Sequence, residues 1–492
     1  MTSSFVPPHT APSPAHPAWS PRMWGLLVVL AGNMLIDALE VSVALVALPA
    51  IGADLGAPLT TTQWTITGFA IGFGGLMLFG ARLVALLGRR RTYLAALLCF
   101  AAASLAGALA EDPSLLTATR VVKGFCAALT APTGLAIIAT AFPEGPPRNR
   151  ALSVYTLFGA AGFTTGLLLS GWLTGFSWRL TFAFPAPVVL VLFALGLRLV
   201  PGTERDGGPR RPDPGRRHYG LPGAAALLCG LLALVQGITA IPAHGWSDPR
   251  STGALALAAV LLAAFAALER TSAQPLARHG LLRNGALSRS ALGAACLNGS
   301  YLGLLFILGH QLQTLAGWSP LKTAAAFLPA AAPLVVTALF SGRMVTRFGA
   351  PGLIAAGALL PLAGTLLYLR TPWPPAYATG ILPTLLLVGA GFVLSFAALN
   401  SQATSRLEPA ERGAGSGLYQ TGVQVGAMLA VALVAALLAG FAPPPGADPA
   451  EAAAACRPAL ALVAALGGLG LLTALTGLTG LTRARTGGAR AR

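Results

Sequence analysis

The chain has 492 residues, 55% of them hydrophobic and only 10% charged, with a formal net charge of +17 at pH 7 and a mean hydropathy of +0.72. A soluble globular protein of this length needs far more polar surface, so a soluble fold is excluded. Continuous rather than alternating apolar runs exclude a transmembrane β-barrel. The basic excess does not signal nucleic acid, because the arginines gather in short loops without interleaved base-stacking aromatics.

In chain order, residues 1–21 are rich in Pro, Ser and Ala and hold no Lys or Arg. They read as a disordered tail, since a signal peptide needs a basic start. Runs of about twenty apolar residues then recur to the end, each long enough to cross a bilayer as a helix. The expectation is an all-α polytopic membrane protein with fourteen helices, at 24–48, 64–87, 93–110, 115–141, 151–174, 180–200, 221–242, 252–268, 290–314, 323–342, 351–369, 376–399, 413–440 and 458–481. Helices 7 and 8 follow the most polar segment, "PGTERDGGPRRPDPGRRHYG", and decide between twelve spans and fourteen. The expected organisation is a tail (1–21), a six-helix bundle (22–200), a basic cytoplasmic linker (201–220), an inserted helix pair (221–268), a second six-helix bundle (269–482) and a basic tail (483–492).

Lys and Arg give the orientation. With the N-terminus in the cytoplasm, 24 of the 32 cations fall on the cytoplasmic side and five on the other: Arg179, Arg250, Lys322, Arg370 and Arg457. This bias predicts both termini inside. The five cysteines (Cys99, Cys126, Cys229, Cys296, Cys456) are scattered without CxxC spacing, so neither a disulfide framework nor a metal site is expected.

Two acids and two bases lie well inside the spans. Asp37 and Glu40 are three residues apart on helix 1 and share a face; Arg120 and Lys123 do the same on helix 4. Helix 1 runs outward and helix 4 inward. Counted from Pro49 and Pro113, the pairs sit at similar depth at about 1.5 Å per residue. Depth matching pairs Glu40 with Arg120 and Asp37 with Lys123. Two readings stand side by side. These are static ion pairs gluing two helices, or they line a polar cavity and carry function. Intramembrane charge is a functional candidate by default, because each insertion costs about 2.5–3.5 kcal/mol on translocon scales. A carboxylate there can exchange a proton when access alternates between the membrane faces, as a proton-coupled transporter requires.

The chain resembles the fourteen-span drug:H⁺ antiporter branch of the major facilitator superfamily over about residues 22–482. "LEVSVALVALPAIGADLG" is similar to the branch's LDxTxVNxALPxIxxDLG, with Glu40 on the family's acid and Asp37 an addition one turn earlier. "TTQWTITGFAIGF" resembles the start of helix 2. "GARLVALLGRRR" resembles the family's loop between helices 2 and 3, keeping Gly88, Arg89 and Arg90. Ala85 stands there for an acid that helps latch the halves in the outward-facing state. "ATRVVKGFCAALTAP" is similar to the helix 4 pattern RxxQGxGAA, whose arginine, here Arg120, the family ties to proton coupling; Lys123 replaces the usual Gln. "GAAGFTTGLLLSGWLTG" resembles the helix 5 antiporter motif, keeping Gly166 and Gly171, with Leu167 in place of Pro and Ser170 in place of Gly. "SWRLTFAFPAPV", "HQLQTLAGWSPLKTAAAFLPAA" and "ERGAGSGLYQTGVQVGAML" resemble further segments of the branch.

The resemblance implies a major facilitator fold of two six-helix bundles plus a central helix pair, working by alternating access as a monomeric, proton-coupled exporter in the bacterial cytoplasmic membrane. The cargo it implies is an amphiphilic drug or secondary metabolite. The energy source would be the proton gradient, with no cofactor. Polar candidates for the substrate cavity are Asn298, His310, Gln311 and Gln313 on helix 9, and Tyr419, Gln420 and Gln424 on helix 13. Each of these residues also reads as interhelical glue or, for His310, as an interfacial histidine. Phe69, Trp64 and Tyr155 could stack on a flat substrate or simply pack helices. A proton-coupled importer would share the fold. A membrane-embedded enzyme is disfavoured: the sequence shows no HExxH, GxSxG or phosphate loop.

Overall fold

The protein is seen in a computed structural model that describes residues 19–202, 220–272, 275, 279–338, 340–408, 411–444 and 446–489. Most of the expected tail (1–18), most of the linker (203–219) and residues 490–492 lie outside the described residues. Among those described, every regular element is helical. Twelve helices are long and apolar enough to span a bilayer, and two bent helix pairs bring the total to fourteen. They are α1 (Pro21–Asp54), α2 (Leu59–Gly75 with Met77–Leu87), α3 (Arg89–Ala108), α4 (Pro113–Ala141), α5 (Pro146–Thr174), α6 (Trp178–Leu199), α7 (Leu221–His244), α8 (Pro249–Thr271), α9 (Gly285–Leu315), α10 (Pro320–Ala326 with Leu328–Ala338), α11 (Ala350–Leu369), α12 (Tyr377–Thr404), α13 (Arg412–Gly440) and α14 (Pro449–Gly477).

Several helices start earlier than the apolar runs suggest, and for one chemical reason. Ser20, Asp112, Asp248, Ser319 and Asp448 each precede a proline and accept a backbone N–H of the first turn. The side chain satisfies an orphan donor, and proline at the first position sacrifices no bond. Helix 10 was expected as one run to 342. It breaks at Phe327, bends by 51°, and is followed by a separate helix, Ser341–Phe348. Pro329 just after the break has no N–H to continue the ladder. At the other end of the chain, helical backbone runs on to Ala489, through the first part of the expected basic tail.

Within the first half, α1 packs on α5 and α6, and α3 on α4 and α6; within the second, α9 packs on α12, α13 and α14, and α11 on α12 and α14. The halves meet along two seams, α2 against α13 and α5 against α10. Each seam joins the second helix of one half to the fifth of the other, and both second helices carry a 51° bend. The inserted pair sits outside this frame: α7 lies on α2 and α13, and α8 on α7. Only 11% of the apolar stretch of α8 is buried, against 50% for α7.

Glycine sets the closest helix approaches. A Cβ at Gly162 would lie 2.7 Å from Ala38 Cβ, and one at Gly166 2.8 Å from Leu39 O, so α5 rests directly on the α1 backbone. On the face poor in arginine, Asp54 at the end of α1 accepts from Trp178 Nε1 at 2.9 Å and Arg179 at 2.5 Å, and Arg179 also donates to Ala110 O at 3.1 Å. These bonds tie the rim of the first half together.

The seams are not uniform along the membrane normal. Toward the arginine-poor face both halves share one apolar cluster, with Leu45 and Leu48 from α1, Leu167 from α5, Leu308 and Leu312 from α9 and Phe327 from the α10 break. Toward the arginine-rich face each half keeps its own cluster, one around Tyr93 and Phe142 and the other around Leu287, Leu399 and Tyr419. The halves are therefore sealed together at the arginine-poor end.

Candidate functional site: a buried charge cluster

The four intramembrane charges come together between α1 and α4. Glu40 and Arg120 are 0% exposed, Lys123 1% and Asp37 3%. Arg120 pairs through Nη1 with Glu40 Oε2 and donates from Nη2 to the Glu40 carbonyl at 2.8 Å. Its Nε donates to Thr65 O at 2.6 Å, which ties the pair to α2. The Phe69 ring lies 4.7 Å from the guanidinium and the Phe182 ring 5.7 Å from it. Arg120 thus spends its planar donor fork on one acid and two carbonyls, a bridge that lysine cannot make.

The expected pairing of Asp37 with Lys123 is not what forms. Lys123 Nζ instead pairs with Glu40 Oε1 at 2.5 Å. The reason is the direction in which helical side chains lean. Cα–Cβ bonds tilt toward the helix N-terminus. On antiparallel α1 and α4 the acids and bases therefore lean in opposite senses, and Lys123 swings back to the level of Glu40. Counting Cα depth alone misses this offset. The lysine is held further by Ser104 Oγ at 3.2 Å and lies 4.9 Å from the Phe100 ring centre. Ser104 in turn donates to Phe182 O at 2.7 Å.

Asp37 finds neutral partners instead. Its Oδ2 accepts from Asn33 Nδ2 at 2.8 Å, one turn back on α1, and from Thr130 Oγ1 at 2.8 Å on α4. Asn33, Thr130, Ser104 and Thr65 are absent from the sequence reading. Asn33 was within reach of it, being four residues from Asp37 on the same helix face. Thr130 and Ser104 carry no signal, because hydroxyls in apolar helices usually bond only their own backbone. With so little exposure the four charges form an enclosed cluster in this conformation and do not line an open cavity.

The cavity candidates of the second half act mainly between helices here. Asn298 donates to Val423 O at 3.2 Å, joining α9 to α13, and Tyr419 OH to Phe396 O at 3.4 Å, joining α13 to α12. Gln311 Oε1 accepts from Tyr368 OH at 2.7 Å. Gln313 Nε2 reaches Val46 O on α1 at 3.2 Å, across the sealed end. Gln424 is buried where α13 crosses α2, close enough that a Cβ at Gly74 would lie 3.3 Å from Gln424 Cγ; Thr421 Oγ1 donates to Gly74 O at 2.9 Å there. His310 and Gln420 are half-buried. Of the stacking candidates, Phe69 is committed to Arg120, and Tyr155 OH donates to Ala131 O at 2.9 Å.

The loop motifs serve as joints. Gly88 takes φ +87° between α2 and α3, a conformation that disfavours a side chain. Arg90 Nη2 donates to Leu197 O at 2.6 Å and pins that joint to the end of α6, while Arg89 is exposed. Gly349 repeats the turn, with φ +74°, before α11. On α5, Gly166 faces α1, and Gly171 faces α10, where a Cβ would lie 3.0 Å from Pro320 O.

Two six-helix halves, crossed seams and charges buried in the core define a polytopic membrane transporter. The chain belongs to the Major Facilitator Superfamily, whose family model matches residues 30–431. It is 36% identical over 417 residues to a puromycin resistance protein, pur8, of Streptomyces alboniger, covering 84% of this chain and 81% of that one. It is 34% identical over 399 residues to the cephamycin export protein CmcT of Amycolatopsis lactamdurans, covering 80% and 81%. Among solved structures, a peptide transporter (POT) with bound sulfate superposes with a TM-score of 0.64 at 14% identity, covering 93% of this chain and 94% of that one. A bacterial homologue of the human lysosomal transporter Spinster, inward-facing and unoccupied, gives 0.63 at 17% identity, covering 94% and 99%. At such identities these two likenesses concern the fold alone. One of these relatives is named for export, and this chain, a member of that superfamily, is a transporter, not an enzyme.

Proposed function

We propose that the protein exports an antibiotic-like, amphiphilic small molecule across the bacterial cytoplasmic membrane in exchange for protons. The observation that carries this reading is the enclosed cluster of Asp37, Glu40, Arg120 and Lys123. Four charges in the least hospitable part of the membrane are costly, and a carboxylate there supplies a place to load a proton. The named activities of the relatives, puromycin resistance and cephamycin export, support an antibiotic as cargo.

The two seams give the transport cycle its moving parts. The halves rock about α2·α13 and α5·α10, as alternating access requires. In the conformation described, the arginine-poor end is sealed by the shared apolar cluster. By the positive-inside rule that end faces outward, so the seal lies on the side from which cargo would leave. The proton gradient is the energy source, the working unit is the monomer, and both termini are cytoplasmic.

The test is drug susceptibility in an efflux-deficient host, with puromycin among the compounds. Wild type should raise resistance, a protonophore should abolish it, and Asp37→Asn, Glu40→Gln and Arg120→Ala should each impair it. If neither carboxylate matters to export, the proton site is elsewhere and the reading fails. Cysteines placed in 243–251 should react with impermeant reagents from outside.

A further inference from the structure

We propose that Asp37, the acid the family pattern lacks, is the group that takes up and gives up the transported proton, while Glu40, the family's acid, stays ionised as a fixed counter-ion. This rests on the proton-coupled reading above and assigns its proton to one of two carboxylates.

The geometry separates the two acids. Glu40 has no exposed surface, and both carboxylate oxygens face cations, Arg120 on Oε2 and Lys123 on Oε1. Protonating it would leave two buried cations around a neutral acid, with Arg120 still tied to the Glu40 carbonyl. That arrangement suits a charge that never changes.

Asp37 is built for the opposite. Its two bonds come from neutral donors, Asn33 and Thr130. The titratable groups facing it are Glu40 on α1, Tyr93 on α3, Cys126 on α4 and Tyr155 on α5; none is a cation. Both phenols are directed at backbone carbonyls, Tyr93 at Val29 O and Tyr155 at Ala131 O. Asp37 also keeps 3% exposure where Glu40 has none.

Thr130 supplies the device that lets Asp37 exist in both forms. Its Oγ1 lies 2.8 Å from Asp37 Oδ2, 3.0 Å from Cys126 O and 3.4 Å from Ala127 O. A hydroxyl has one proton to donate and two lone pairs to accept with. With Asp37 ionised, Thr130 O–H donates to the carboxylate. When a proton adds to a carboxylate lone pair, the new O–H donates to Thr130 Oγ1, and the threonine proton rotates to Cys126 O. No partner is orphaned and no other group changes charge. Loading moves the four-residue cluster from zero to +1 net charge.

The experiment is infrared difference spectroscopy on purified full-length protein in lipid, with pH as the variable and the C=O stretch of a protonated buried carboxyl as the signal. Wild type should show the band and Glu40→Gln should keep it, while Asp37→Asn should lose it. Because Glu40→Gln can fail to fold, Thr130→Val is the second arm. It should displace the titration midpoint, which a Glu40 carrier would not show, since Thr130 does not bond to Glu40. A band that survives in Asp37→Asn, or an unmoved midpoint in Thr130→Val, overturns the assignment. A wild type with no titrating carboxyl band overturns the proton-coupled reading itself.

Discussion

Glu40→Gln is the substitution whose cost the structure sets most clearly. The side chain keeps its shape and loses its charge, leaving Arg120 and Lys123 as neighbouring buried cations at 0% and 1% exposure. Removing one partner of a buried ion pair costs about 3–5 kcal/mol, chiefly because the other charge stays buried and uncompensated. Here one acid serves two bases, so the loss belongs at the upper end, about 5 kcal/mol. Lys123→Gln is the control. It keeps the Glu40–Arg120 pair and leaves no two like charges side by side on one acid, so about 1–2 kcal/mol is expected, as for ordinary point substitutions. The double variant Glu40→Gln/Lys123→Gln removes one of each sign, and should recover about 0.5–3 kcal/mol relative to the sum of the single losses. Equilibrium unfolding from mixed micelles measures all three. If Glu40→Gln costs no more than Lys123→Gln, or the double variant is additive, the two-cation clamp does not exist in the folded protein.

Other perturbations test the frame around the cluster. Gly162→Ala forces a methyl between α5 and the α1 backbone, 2.7 Å from Ala38 Cβ, and should cost about 1–3 kcal/mol of overpacking in the same unfolding assay. Gly171→Leu pushes α5 off α10 at the sealed end, where even a Cβ would sit 2.6 Å from Ala324 Cβ; spin labels on the arginine-poor ends of these helices should move apart. Asp112, the N-cap of α4 outside the membrane spans, has its carboxyl held below the ordinary 3.8, first by the Ser114 backbone N–H at 2.7 Å. A depressed folded value means the cap's contribution is complete above the unfolded value and fades as pH falls through the folded one. The stability gap between wild type and Asp112→Ala should therefore close on acidification below that range, and a gap that persists would refute the cap's role.

Much of this protein was legible in one dimension because the bilayer is a demanding solvent. Every backbone polar group in hydrocarbon must be satisfied within its own helix, so runs of apolar residues determine span number and type, and the bias of arginines predicts orientation. The same cost made Asp37, Glu40, Arg120 and Lys123 conspicuous before any coordinates. Helix starts were also written in the chain, as Ser-Pro and Asp-Pro pairs, although apolar runs alone place several of them late. What the sequence could not decide is which of those charges touch. Spacing gives depth along each helix, but contact depends on the lean of side chains across antiparallel neighbours and on how far helices approach. That approach is governed by Gly162 and Gly166 on α5 and by Gly124 of α4 against the α2 backbone. Only the assembled bundle puts two cations on Glu40 and a threonine from α4 on Asp37, because side-chain direction and helix distance belong to pairs of helices and to neither one alone.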